Sequence, residues 1–219
     1  MKEPQTPTNI PIDLESLYDM LLDGGPLMVP IALCSVVALA YTVERWVRLS
    51  PSALGNRRLA RRLTDEVKSS GAAGGVALCR SMRKPLARIL GAGLGKQDAM
   101  QSEQAAEDVG KRELGRLIGG LRPLVVVAMI SPLLGLLGTV WGMIEAFSNI
   151  ATQDGLGKPE LLAGGISQAL ISTAAGLAIA IPTQAVYYYY RSRIDKFARL
   201  AEDTQVQLGA ILFEPESVA

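Results

Sequence analysis

Four polar side chains, Thr139, Gln168, Ser172 and Thr173, lie inside stretches that carry no charge at all. A hydroxyl or an amide in such surroundings has little bulk water to bond. It faces either a neighbouring helix, where it acts as glue, or a water path through a bundle. Small residues recur around these four at helical spacing. Ser131, Gly135, Gly138, Thr139 and Gly142 form one stripe, and Gly164, Gln168, Ser172, Ala175 and Gly176 form a second, with Thr173 beside it. Such stripes let helix backbones approach closely. Close packing accounts for Gly135, Gly138, Gly142 and Gly176, but explains Gln168 and the hydroxyls less well. No carboxylate lies in these stretches, so a proton relay would need a titratable group from another chain. Pro132 and Pro182 are each placed to kink a helix and free a carbonyl.

Other chemistries are excluded by composition. The chain has no His and only two cysteines, Cys34 and Cys79, one in an apolar run and one in a polar run. That leaves no zinc site, no His-dependent nucleophile and no expected disulfide. Basic and acidic residues number 22 and 21, so net charge gives no reason to expect a nucleic-acid partner. Hydrophobic residues make up 49% and charged residues 20%, with a mean hydropathy of +0.25. No cofactor is expected.

The elements that position the polar residues are three uncharged runs. Gly24 to Val43 spans 20 residues, Pro123 to Ile144 spans 22, and Leu161 to Tyr190 spans 30. A bilayer-crossing helix needs ~20 apolar residues. Tyr187 to Tyr190 close the third run, and tyrosine prefers the headgroup boundary. The first run is full length and follows an acidic segment, so it reads as a span and not as a signal peptide. Glu44 to Arg122 holds 16 of the 22 Lys and Arg, and the segment after Tyr190 holds 4. Because basic loops stay in the cytoplasm, the N-terminus is expected outside and the C-terminus inside.

The expected fold is an all-α membrane protein with three transmembrane helices, two of them extended into a cytoplasmic helical domain. The expected organisation is a periplasmic segment over 1–23, a first span over 24–47 and a cytoplasmic helical loop over 48–122. A second span follows over 123–147, a short periplasmic loop over 148–160, a third span over 161–190, and a cytoplasmic helix and tail over 191–219. Within the polar parts, Ile12 to Leu22, Leu54 to Val67, Val76 to Leu90, Asp98 to Leu121 and Ile194 to Leu212 read as helices. Gly71, Gly74 and Gly75 are the expected turn, and Asp98 to Leu121 is expected to run straight into the second span. Arg57, Arg58, Arg61 and Arg62 read as a positive-inside anchor on a solvated face, or as a contact for anionic lipid or a partner.

PLLGLLGTVWGMIEAF, Pro132 to Phe147, and GISQALISTAAGLAIAIPTQAVYYYY, Gly165 to Tyr190, resemble the MotA/TolQ/ExbB proton-channel family, most closely its TolQ/ExbB branch. GGPLMVPIALCSVVALAYTVERWVRL resembles it more loosely. The resemblance implies a homo-pentamer in the inner membrane of Gram-negative bacteria, surrounding the spans of an ExbD/TolR-like partner. That partner has a single span carrying an Asp. Ion flow past this Asp would drive relative motion and deliver work to the periplasm or outer membrane. The family's pore threonines correspond to Thr139 in GLLGTVWG and Thr173 in ISTAAG. Where the TolQ/ExbB pattern usually has Glu before the Ala-Leu of the third span, this chain has Gln168, which cannot carry a proton. Gln168 and Ser172 join the threonines as expected ion-path residues.

Competing with an ion-conducting stator subunit is a structural membrane scaffold whose polar residues only join helices. A secondary transporter fits poorly, because the sequence contains no repeat. A membrane enzyme would need a nucleophile–base pair or a metal cluster, and neither is visible.

Overall fold

A computed structural model describes residues 24–152 and 159–213, and these are helical with short breaks. The elements are α1 (Met28–Arg48), α2 (Pro51–Leu54), α3 (Arg57–Ser81), α4 (Pro85–Leu94), α5 (Ala99–Gly119), α6 (Arg122–Thr152) and α7 (Pro159–Phe213). Three helical stretches, in α1, α6 and α7, are long and apolar enough to cross a membrane. The expected helix over Ile12 to Leu22 and residues 153–158 of the short loop lie outside the described residues.

Chain breaks follow from proline and glycine. Pro51 and Pro85 each begin a helix, where the missing N–H costs nothing. Pro85 also holds Lys84 in extended backbone, as residues before proline prefer. The break expected at Gly71, Gly74 and Gly75 falls at Gly71, and Met82–Lys84 form a further break inside the helix expected over Val76 to Leu90. At Gly71 the two helical segments of α3 meet across a kink, at φ 67° and ψ −169°. Gly75 stays helical because Val67 and Leu94 press on it, and a Cβ there would meet Val67 Cγ2 at 2.5 Å. A turn at Gly120–Leu121 separates α5 from α6. Pro132 and Pro182, by contrast, sit inside helices that continue through them.

The described residues fall into two compact units. The first comprises the described parts of Met1–Ala38 and Val126–Thr183. Its large outward side chains are mostly apolar, among them Leu33, Leu133, Leu136, Ile144, Leu170 and Ile181, all exposed. Its interior is rich in small residues, beside buried Met28, Ile31 and Val127. This inverts the pattern of a water-soluble bundle and suits lipid or another helix as the surroundings.

The second unit comprises Leu39–Val125 and the described part of Gln184–Ala219. It has an ordinary aliphatic core, with Leu49, Leu63, Leu86, Leu90, Leu121 and Ile194 all essentially fully buried. Asn56 caps α3, its Oδ1 accepting from Leu59 N at 3.0 Å. Buried Glu113 accepts from Arg88 at 3.0 Å and from Arg116 at 3.3 Å, so its charge is paired. Tyr190 is 1% exposed, and its hydroxyl donates to the Thr42 carbonyl at 2.9 Å.

Candidate ion path

The small residues of α6 and α7 meet along one seam inside the first unit. On α6 the buried positions are Ser131, Gly135, Gly138, Gly142 and Ala146. On α7 the facing positions are Gly165, Ala169, Ser172 and Gly176. The α7 series steps by four, three and four residues and the α6 series by four, three, four and four, which keeps each on one helix face. A Cβ on Gly176 would stand 2.5 Å from the Ser131 carbonyl oxygen. A Cβ on Gly135 would stand 3.0 Å from the Ser172 carbonyl oxygen and Thr173 Cα, and one on Gly142 would stand 3.1 Å from the Gly165 carbonyl oxygen. All three meet backbone: at Gly176 only glycine fits, and at Gly135 and Gly142 an added Cβ would force the facing helix to give way. Gly138 differs, because a Cβ there would meet the Ser172 side chain, with Leu27 of the first unit also nearby.

The hydroxyls sit within this seam. Thr173 Oγ1 donates to the Gly135 carbonyl at 3.0 Å. Ser172 Oγ lies 3.4 Å from the same carbonyl and 2.8 Å from the Ala169 carbonyl on its own helix. Thus Ser172 and Thr173 converge on one acceptor of α6. Thr139 is half-buried, and its hydroxyl donates to Leu136 O at 2.7 Å within α6. It also lines a shallow depression with Val140, Met143, Ile144 and Phe147. Gln168 points elsewhere: its amide lies against Gly25, whose φ of +73° places it in the left-handed region. The structure therefore brings Ser172, Thr173 and Gly135 together, and leaves Thr139 and Gln168 apart from them.

One seam position differs from the sequence reading. Gly165, not Gly164, faces α6: a Cβ on Gly165 would strike Ala146, whereas nothing lies within 4 Å of one on Gly164. The spacing Gly165, Ala169, Ser172, Gly176 carried that signal. It could not be separated from the Gly164 stripe without knowing which way α7 is rotated. Ser131 is fully buried and its hydroxyl has no partner among the described residues.

No group of three or more His, Cys, Asp or Glu that could hold a metal occurs among the described residues. The chemistry open to the seam is therefore that of hydroxyls, backbone carbonyls and any water they admit.

Residues 81–203 match the model of the MotA/TolQ/ExbB proton channel family. A Synechocystis protein named as biopolymer transport ExbB-like 1 is 31% identical over 219 residues, 91% of this chain and 82% of that protein. The biopolymer transport protein ExbB of Salmonella typhimurium is 28% identical over 192 residues, 83% of this chain and 78% of its own length. The biopolymer transport protein exbB1 of Vibrio cholerae is 53% identical over 66 residues, which covers 30% of this chain and 29% of that protein. With three apolar helices of spanning length, the chain is a multi-pass membrane protein.

Proposed function

The chain belongs to the MotA/TolQ/ExbB proton channel family, and from that membership we propose that it is an ion-conducting stator subunit of an inner-membrane energy-transducing motor. In this reading the ion is a proton. The working unit is a homo-pentamer around the span of an ExbD/TolR-like partner that carries a membrane Asp. The motor converts proton motive force into mechanical work on the periplasm or outer membrane. The subunit performs no catalysis.

One observation carries the proposal. The α6–α7 seam is lined with hydroxyls, yet its two uncharged runs, Pro123 to Ile144 and Leu161 to Tyr190, hold no carboxylate. Such a lining can hold water or bond a carboxylate as it gains and loses a proton, but cannot itself carry the proton. The titratable group is therefore assigned to the partner. Gln168 fits the same division of labour, since its amide is neutral in the working pH range. The charge asymmetry supports a periplasmic N-terminus and a cytoplasmic C-terminus.

A structural scaffold is the second reading, and a specific feature favours it. The hydroxyls of Thr139, Ser172 and Thr173 all bond carbonyls of the same chain, as helix glue would.

Proton flux into vesicles holding the co-purified complex separates the two, with partner Asp→Asn setting zero. Thr173→Val keeps the shape and removes one hydrogen bond, worth on average about 0.6 kcal/mol between membrane helices. Such a loss barely affects assembly. The expected outcome is an intact complex with strongly reduced flux, Thr139→Val acting similarly and Gln168→Ala more mildly. Wild-type flux in Thr173→Val would favour the scaffold.

A further inference from the structure

The second unit carries two surfaces of opposite character that its own fold leaves open. One is a groove of about 560 Å³ between α5 and the C-terminal part of α7. Small residues form its floor, among them Ala106, Gly110, Ala201 and Gly209. Glu103 on α5 and Glu202 on α7 stand at its rim, both exposed. Among the described residues, neither has an ion-pair partner. A third acidic rim residue, Glu107, is paired with Lys111 at 2.7 Å. Gln205, also lining the groove, gives its amide NH2 to Ser102 Oγ at 3.0 Å, while its buried Oε1 has no partner. Lys111 also lines the groove but is held by Glu107, so the rim stays net acidic, with Glu103 and Glu202 free to take a cation.

The second surface is the exposed face of α3, where Arg57, Arg58, Arg61 and Arg62 are paired i, i+4 in two adjacent rows. None has an ion-pair partner among the described residues. Asp65 and Glu66 line the same shallow depression as Arg58, Arg61 and Arg62, so the face stays net basic. Each guanidinium offers five N–H donors in a planar fork suited to carboxylates.

We propose that the groove is filled by the arginine face of α3 from a second copy of this chain. The inference rests on the pentamer reading and gives it a contact. A closed ring needs a heterologous interface, in which two different and mutually complementary patches of each copy meet head to tail. The acidic groove and the basic helix are two such patches on different elements. Surface ion pairs of this kind fix register and partner more than they add affinity, and they weaken as salt rises.

Cross-linking in full-length chains within native membranes tests the contact. Cys34→Ala and Cys79→Ala remove the native thiols, and Arg61→Cys with Glu202→Cys places one thiol on each surface. Oxidation with copper phenanthroline is expected to give a ladder of covalent oligomers. Two differently tagged copies, one bearing each cysteine, are expected to give only the mixed dimer. Adding Arg58→Glu and Arg62→Glu is expected to reduce the ladder to single-cysteine background, and Glu103→Arg on top of these is expected to restore it. Absence of the ladder in a preparation whose native mass is pentameric overturns the contact and leaves the pentamer reading standing. A monomeric native mass removes the pentamer reading and the contact together. A cross-link to a smaller co-purified protein overturns the proposal, because the groove then takes a different occupant. So does a ladder that survives the arginine reversals while binding to anionic vesicles is lost, because α3 then serves the lipid surface.

Discussion

At the scale of single residues, glycine cost depends on what an added Cβ would strike. At Gly176 it would strike the Ser131 carbonyl oxygen at 2.5 Å, and backbone inside a helix has no rotamer to retreat into. At Gly138 it would strike the Ser172 hydroxyl and also Ser172 Cβ at 2.6 Å, and only the hydroxyl can turn away, at the cost of its bond to Ala169 O. At Gly164 it would strike nothing. Thermal unfolding of the detergent-purified protein should therefore rank Gly176→Ala and Gly138→Ala as damaging and Gly164→Ala as near neutral. Overpacking of this kind typically costs about 1–3 kcal/mol. An equal loss at Gly164 and Gly176 would place the seam on the wrong face of α7.

At the scale of elements, α3 depends on its cap and its kink. Asn56 Oδ1 satisfies one of the four free N–H groups at the start of α3, so Asn56→Ala should cost about 1 kcal/mol. Gly71 has φ 67° and ψ −169°, a region that is essentially glycine-only. No atom lies within 4 Å of a Cβ placed there, so Gly71→Ala is strained by backbone alone. It should cost about 1–3 kcal/mol or straighten α3. Urea unfolding of the two variants checks both costs, and circular dichroism reports helix gained by straightening. The two glycines after Gly71 could not be sorted by sequence alone. Gly74 and Gly75 match the turn composition equally well, but Gly75 serves close packing under Val67 and Leu94.

At the scale of the whole molecule, orientation is open to direct labelling. A cysteine at position 154 should react with an impermeant thiol reagent in intact spheroplasts. One at exposed Ser69 should react only after lysis. The reverse pattern would overturn the orientation inferred from Lys and Arg. Native Cys79 is a poor reporter, because it is 5% exposed and burial pushes its thiol up to about 11. The reactive thiolate is therefore scarce near neutral pH, and Cys79 should stay unlabelled after lysis until the protein is unfolded. Its folded pKa is raised above the ordinary value of 9.0. The stability linked to the neutral thiol is thus complete below about pH 9 and is lost as pH climbs through about 11.

The sequence by itself determined the membrane class, the three spans, the family and the absence of a membrane carboxylate. Each is a property of run length, charge count or local motif, and none requires knowing which residues meet. Tertiary structure decided the rotation of α7 about its axis, which selects Gly165 over Gly164 and turns Ser172 and Thr173 onto the Gly135 carbonyl. It also separated Gln168 from the threonines, placing its amide against Gly25. A helical stripe read from spacing has an uncertainty of one position, because 3.6 residues per turn lets neighbouring residues share a broad face. Only the approach of a second backbone to 3 Å resolves which of them is the glycine that contact requires.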